Sequence, residues 1–327
     1  MTEAVLKINE LSVSFPNFSS QITVVRKCSL DVGKGEILGL VGESGSGKSM
    51  TAMSCLGLVP KPGVAIGSVN VAGHEVVGAN STTLNQLRGG ISGMIFQNPM
   101  TALNPFISIG DQFNDAIQSS TSVSRKSAHQ KALSVLESVY IPNPAQALKK
   151  YPHQLSGGQL QRIMIAMVVA CKPQLLIADE PTTALDVTIQ AQVLLLIREL
   201  ALKNQLAILF ITHDLSVVAT ICDRVAVMYA GSIVETGDVV DVFANPAHPY
   251  TRKLLQTVPA IGKNKNRLEF IPGQVPDMSN LPSGCAFQSR CETVMDKCRI
   301  ESPTETTLNN LHRVVCHFPL NQRERTQ

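Results

Sequence analysis

Residues 42–49, Gly42-Glu43-Ser44-Gly45-Ser46-Gly47-Lys48-Ser49, satisfy the pattern G-x-x-x-x-G-K-[ST] at every constrained position. Glycines at 42, 45 and 47 permit backbone conformations that a Cβ would block, so successive N–H groups can turn inward around the β- and γ-phosphates of a nucleoside triphosphate. The Lys48 ammonium reaches the β/γ oxygens. The Ser49 hydroxyl is a hard oxygen of the right length to ligate a Mg²⁺ held by those oxygens. The flanks agree with this reading. Ile37-Leu38-Gly39-Leu40-Val41 has the short apolar run of a buried parallel strand, and Met50-Thr51-Ala52-Met53 opens a helix whose N-terminus faces the anion.

Upstream, residues 1–35 alternate apolar and polar (Val5, Leu6, Ile8, Leu11, Val13), which predicts short antiparallel strands; Phe15 or Phe18 is a candidate to stack on an adenine ring. Downstream, residues 63–93 are turn-rich, with Gly67, Gly73, Gly78 and Gly89-Gly90 between short apolar pieces. Gly93-Met94-Ile95-Phe96 is a further buried-strand candidate, and it delivers Gln97 to the carboxyl end, where the amide can touch Mg²⁺ or an attacking water. A mostly helical stretch over 98–155 follows, clearest at 127–139, and reads as an inserted helical subdomain. Leu155-Ser156-Gly157-Gly158-Gln159 then opens a second helix on an anion-facing turn. Within one molecule it would duplicate the first; it is either a capped helix entry or, if it faces another subunit's nucleotide, a second phosphate contact.

Leu175-Leu176-Ile177-Ala178-Asp179-Glu180 is an apolar strand ending in two carboxylates. Asp179 is placed to hold the Mg²⁺ water shell, and Glu180 to polarise the water that attacks the γ-phosphorus. Ala184-Leu185-Asp186 turns the chain into a helix over 190–202, and Ala207-Ile208-Leu209-Phe210-Ile211 ends at Thr212-His213-Asp214, where His213 can bond a γ-phosphate oxygen. Gln97 or His213 alone would carry little weight. Several strand ends meeting at one phosphate make the argument.

Bulk properties exclude other classes. With 28 basic and 25 acidic residues the 327-residue chain has a net charge of +3 and no basic block, which argues against nucleic acid as a partner. The start, Met1-Thr2-Glu3-Ala4-Val5-Leu6-Lys7, is charged where a signal peptide is apolar, and the longest clean apolar run, 163–171, is nine residues, so the expectation is a chain neither exported nor membrane-spanning. Any membrane role would run through a partner.

The order of phosphate loop, Gln97, the 155–159 pentapeptide, the acidic strand, the 184–186 turn and His213 resembles the ATP-binding subunit of an ATP-binding-cassette (ABC) transporter over residues 4–250. That resemblance implies an α/β P-loop ATPase of the ABC nucleotide-binding type with antiparallel β and helical subdomains: a cassette over 1–245, its helical subdomain at about 98–160, and a small C-terminal extension over 246–327. It also implies two cassettes paired head to tail, each ATP lying between one phosphate loop and the partner's Ser156, Gly157, Gly158 and Gln159, with Asp186 at the same boundary.

The tail stretches Asn245-Pro246-Ala247-His248-Pro249-Tyr250, Ile271-Pro272-Gly273-Gln274 and Gly284-Cys285-Ala286-Phe287 are similar to the extension of dipeptide and oligopeptide importer ATPases, a group that includes nickel and metallophore importers. The implied partners are two transmembrane permeases, a second ATPase subunit (a paralogue or another copy) and an extracytoplasmic solute-binding protein, with the chain on the cytoplasmic face of the cell membrane. A soluble ABC ATPase unconnected with transport is the rival from another class, and it would need a second cassette or long coiled coils.

Four of the eight cysteines fall in the tail with spacing C-x5-C-x6-C-x17-C: Cys285, Cys291, Cys298 and Cys316. Three states fit them: a [4Fe–4S] cluster, which the family resemblance favours; zinc, with His312 or His317, although the usual C-x₂₋₄-C knuckle is missing; or free thiols. Cys28, Cys55, Cys171 and Cys222 lie in apolar surroundings and are expected in the core.

Overall fold

The computed structural model describes residues 4–17, 20–183, 185–257, 270–309 and 311–323; Phe18 and Ala184 lie outside them. Strands β1 (Ala4–Asn17), β2 (Ser20–Gly33), β3 (Ile37–Val41), β4 (Val64–Val71), β5 (His74–Glu75), β6 (Ser92–Ile95), β7 (Leu175–Asp179), β8 (Ala207–Thr212), β9 (Arg224–Tyr229), β10 (Ser232–Asp238), β11 (Glu305–Thr307) and β12 (Arg313–Val315) form two sheets. One is antiparallel, in the order β2-β1-β4-β5; the other runs β11-β12-β10-β9-β3-β8-β7-β6. In the second sheet the five strands from β9 to β6 are parallel, and β10, β12 and β11 extend it antiparallel. The N-terminal strands are two long ones of 14 residues each rather than several short ones. Register shifts near Leu11 and Val13 let β1 keep its apolar side chains inward while it curves.

Leu175–Asp179 and Ala207–Thr212 are apolar up to their last residue because both sheet faces are covered. Successive side chains sort by period two. Leu38, Leu40, Leu175, Ile177, Leu209 and Ile211 pack under the antiparallel sheet. Ile37, Leu176, Ala178, Ile208 and Phe210 pack against the helices Gly157–Ala170 and Val187–Asn204 and the helical insertion. That insertion carries the helices Ile109–Ser120 and Arg125–Ser138, each entered through a serine (Ser108, Ser124) whose hydroxyl accepts a first-turn N–H. Cys28 and Cys55 are fully buried between the sheets, as expected, and burial raises the thiol pKa of Cys28 to about 12.

A third core joins the tail to the cassette. Val41, Val225, Val227 and Tyr229 from the sheet pack with Tyr250, Leu254 and Phe287 from beyond residue 245. The tail therefore does not rely on a small core of its own. It shares one with the cassette, and β12 pairs with β10 at Glu235↔Val314 and Thr236↔Arg313. Among the described residues no helix is long and apolar enough to cross a membrane.

Candidate nucleotide site

Strands β3, β6, β7 and β8 all run the same way, so their carboxyl ends gather Gly42, Gln97, Glu180 and His213 at one edge of the sheet. The loop leaving β3 is shaped by backbone that side chains would obstruct. Gly42 has φ +155° with a carbonyl, Met228 O, 2.2 Å from where a Cβ would stand, and Gly47 has φ +105° with Val24 O at 2.6 Å. Gly47 leads into the helix Lys48–Ser54, and its carbonyl accepts the Thr51 N–H at 3.0 Å, closing the first turn.

Lys48 is buried. Its ammonium donates to Gly42 O at 2.8 Å and Glu43 O at 2.9 Å, with Ser46 Oγ at 3.4 Å. Burial lowers its pKa, while the nearby carboxylates of Glu180, Asp179 and Glu43 act in the opposite sense. Ser49 Oγ donates to Asp179 Oδ1 at 3.2 Å, which brings together the two oxygens expected around Mg²⁺. The Asp179 pKa is raised by burial, a penalty that the Ser49 bond partly offsets and that a bound cation would oppose.

Glu180 has φ +47°, an uncommon backbone state for a residue with a Cβ, and its N–H is fixed to Ile211 O at 2.9 Å. That turn lifts its carboxylate off the strand and into a set of three partners. Gln97 Nε2 donates to Oε2 at 2.9 Å, Thr183 Oγ1 donates to Oε2 at 3.0 Å, and His213 Nδ1 lies 3.0 Å from Oε1. Burial alone would raise the Glu180 pKa. The His213 and Thr183 hydrogen bonds, with the positive charge nearby, outweigh it and hold the carboxyl below its usual range, so it is ionised at neutral pH. An ionised Glu180 accepts from Nδ1–H and leaves the outer nitrogen of the exposed His213 ring for a ligand.

Ser156, Gly157, Gly158 and Gln159 stand apart from this cluster. Ser156 Oγ accepts the Gln159 N–H at 3.4 Å and Gln159 Oε1 accepts the Ser156 N–H at 3.2 Å, a reciprocal cap. Asp186 caps its own helix, accepting the Ile189 N–H at 2.9 Å. Together these residues line an open cleft with Arg162 and Ile189. Of the two aromatic candidates for the base, Phe15 is half-buried against the core between the sheets, and Phe18 is outside the described residues.

Three site neighbours have no signature in the motifs. Tyr250 Oη accepts the Glu43 N–H at 2.9 Å, Arg290 forks onto the Glu43 carboxylate, and Thr183 bonds Glu180. Thr183 was within reach of the sequence, three residues past the acid. Tyr250 and Arg290 lie more than 200 residues from the loop.

In the tail, Cys285, Cys291, Cys298 and Cys316 line one small cavity with His317 and Phe318. Burial raises the pKa of Cys285, and that of Cys316 to about 11, with the neighbouring thiols adding to it. Among the described residues no group of three or more His, Cys, Asp or Glu is placed to hold a metal ion. The two histidines considered for zinc are engaged elsewhere: His312 Nε2 lies 2.7 Å from Glu235 Oε1, and His317 Nε2 is 2.9 Å from Glu301 O.

Comparison with known proteins gives the family and the fold. The family described as "ABC transporter" matches residues 25–183, and "Oligopeptide/dipeptide transporter, C-terminal region" matches residues 234–298. The probable D,D-dipeptide transport ATP-binding protein DdpD of Escherichia coli K12 is 46% identical over 98% of both chains. The dipeptide transport ATP-binding protein DppD of the same organism is 44% identical over 98% of this chain and 99% of its own. The oligopeptide transport ATP-binding protein OppD of Salmonella typhimurium is 44% identical over 92% of this chain and 90% of its own. Among solved structures, CbiO1 of Clostridium perfringens, part of the ABC transporter complex CbiONQ, superposes with a TM-score of 0.64 at 26% identity, over 74% of this chain and 91% of that one. A bacterial ABC transporter cassette solved as a dimer gives 0.64 at 24% identity over 72% and 98%, a likeness of fold.

Proposed function

The chain belongs to the ABC transporter ATP-binding family, in its oligopeptide/dipeptide group, and we propose that it is the ATP-hydrolysing subunit that energises import of dipeptides or oligopeptides. The observation that carries the reaction is the Glu180 carboxylate, ionised and held by Gln97, Thr183 and His213 at the strand ends beside the phosphate loop. Its place suits a base for the water that attacks the γ-phosphorus, giving ADP and phosphate. Lys48 and the loop N–H groups bind and orient the β- and γ-phosphates, and the outer nitrogen of His213 donates toward a γ-oxygen when the ring is the doubly protonated imidazolium, its Nδ1–H being given to Glu180. Ser49 and Asp179 fit a Mg²⁺, with Gln97 able to reach it. The ion supplies charge neutralisation at the phosphates when bound.

The same family reading supports two cassettes that close head to tail on ATP, placing Ser156, Gly157 and Gly158 of one on the γ-phosphate of the other, with Asp186 at the seam. The helical insertion would pass closure and reopening to two membrane permeases at the cytoplasmic face, fed by an extracytoplasmic binding protein. Residues 246–327 are the extension, and its described part packs on the cassette through Tyr250, Leu254 and Phe287. Peptide rather than nickel or metallophore cargo is favoured by the names of the relatives. Interrupting the coding gene should abolish uptake of labelled di- or oligopeptides and leave nickel accumulation unchanged. The reverse pattern would assign metal import.

A second reading rests on the four thiols around one cavity. Cys285, Cys291, Cys298 and Cys316 suit a [4Fe–4S] cluster by number and softness of donors, though not in the placement this structure gives them, and a cluster that drew them together would supply a cross-link across the tail. Complex purified without oxygen should carry about four iron atoms per chain. Cys291→Ser should lose them, and Cys55→Ser should keep them. Stoichiometric zinc, or no metal from iron-replete cells, would overturn this reading.

A further inference from the structure

We infer that Arg290, in the C-terminal extension, is a positioning residue of the ATP site that acts through Glu43. Its side chain is only 3% exposed, and its guanidinium makes a two-pronged bridge to the phosphate loop: Nη1 to Glu43 Oε2 at 2.7 Å and Nη2 to Glu43 Oε1 at 2.9 Å. The remaining donors are also occupied. Nε donates to Pro272 O at 3.0 Å, Nη2 to Ile271 O at 3.4 Å and Nη1 to Tyr229 Oη at 3.4 Å, so the fork is held in one orientation before it meets the loop. Behind it, the Arg290 carbonyl accepts from Lys253 Nζ at 3.2 Å.

Glu43 is the second residue of the phosphate loop and is gripped at every polar group. Its carboxylate goes to Arg290, its N–H to Tyr250 Oη at 2.9 Å, and its carbonyl receives the Lys48 ammonium at 2.9 Å. To bind phosphate, Lys48 has to turn at least one of its three N–H donors, now on Gly42 O, Glu43 O and Ser46 Oγ, to a phosphate oxygen. A loop clamped from outside keeps its shape while the lysine turns away, and its N–H groups stay aimed at the anion. The extension also has contacts with the rest of the chain that do not involve this bridge. The Tyr229, Tyr250 and Phe287 rings meet with centroids 4.6–5.4 Å apart, β12 joins β10, and Glu235 binds the N–H groups of Ala247 and His248. The bridge is spent instead on a residue of the nucleotide loop, so the extension completes the ATP site from a distance of 247 residues in sequence.

The inference rests on the ATPase reading above, and ATP saturation of the wild-type assembled transporter tests that reading separately. Phosphate release as a function of ATP is measured for wild type, Arg290→Met, Arg290→Lys, Glu43→Gln and the double variant Arg290→Met/Glu43→Gln. KM for ATP should rise about tenfold in Arg290→Met and Glu43→Gln while kcat falls less than about threefold, because the loop loses its grip on the phosphates and the reacting groups at Glu180 stay in place. Arg290→Lys should be intermediate, since it restores the charge without the fork. The double variant should be no worse than the worse single, the mark of one shared interaction. If Arg290→Met fails to assemble, Glu43→Gln decides alone, because it leaves Arg290 and its packing intact. Unchanged KM with reduced kcat or yield, or single effects that multiply in the double variant, would show a bridge that only docks the tail and would overturn the inference.

Discussion

The phosphate-loop side and the 155–159 side of this chain are built from the same device, a glycine turn opening a helix, yet they differ in how far they are finished. On the loop side the polar groups are bonded across long separations in sequence: Ser49 to Asp179, Gln97 to Glu180, His213 to Glu180, and Arg290 to Glu43. On the other side the side-chain bonds of Ser156, Gln159 and Asp186 are local. Ser156 and Gln159 cap one another, Asp186 caps its own helix, and Ser156 and Gly157 are exposed. The N–H groups of the first helical turn have no carbonyl of their own helix to bond. One half of the site is ordered by tertiary contacts and is complete within a chain. The other is capped locally and exposes the N–H groups of a helix start to solvent, a geometry that suits an anion carried by a second cassette.

The sharpest way to break that contrast is to disable the finished half. Glu180→Gln keeps the side chain's size and lets its amide oxygen accept from His213, but the amide nitrogen cannot accept from Gln97 or Thr183 and the group cannot take a proton. Turnover in the assembled transporter should fall by on the order of 10²- to 10⁴-fold, with ATP affinity changed less than about twofold. Phosphate release and equilibrium nucleotide binding measure the two arms. Near-normal turnover would remove Glu180 from the role of base and leave the convergence of Gln97, Thr183 and His213 without a purpose in the reaction.

The same contrast governs what was legible in the sequence. The central strands announced themselves because full burial leaves no polar position in Leu175–Asp179 before its terminal acid, or in Ala207–Thr212 before its terminal threonine. The candidate side chains Gln97, Glu180 and His213 were legible because each follows the carboxyl end of a buried strand. The joining of tail to cassette was hidden. β11 and β12 are three residues each and carry Glu305, Thr306 and Arg313, so no apolar alternation marks them. Glu235 sits in Ser232–Asp238 like an ordinary outward strand residue, yet its side chain is fully buried, because the N–H groups of Ala247 and His248 and the ring of His312 satisfy it from segments far along the chain. Arg290 was equally unreadable. Its partner is 247 residues away, and a lone arginine before a cysteine has no period or motif to reveal it.

A smaller effect tests the unfinished half, and the choice of glycine decides whether the test is clean. A Cβ at Gly158 would stand 2.8 Å from Ile189 Cγ2, so any substitution there disturbs packing within the chain and confuses a folding defect with a lost contact. Gly157 has nothing within 4 Å of its would-be Cβ and is exposed. In the isolated chain Gly157→Ala should therefore leave ATP binding unchanged and hold or slightly raise thermal stability, since alanine loses less backbone freedom in a helix than glycine. In the assembled transporter the added methyl would face the partner's γ-phosphate, where closely fitted N–H donors lose their bonds when held a few tenths of an ångström away. Turnover should drop about tenfold there, the loss of one well-placed donor at its low end. The opposite signs in the two preparations are what matter: equal loss of ATP binding in the isolated chain would mean that the 155–159 turn works on its own chain's nucleotide, and undiminished turnover in the complex would mean that it touches none.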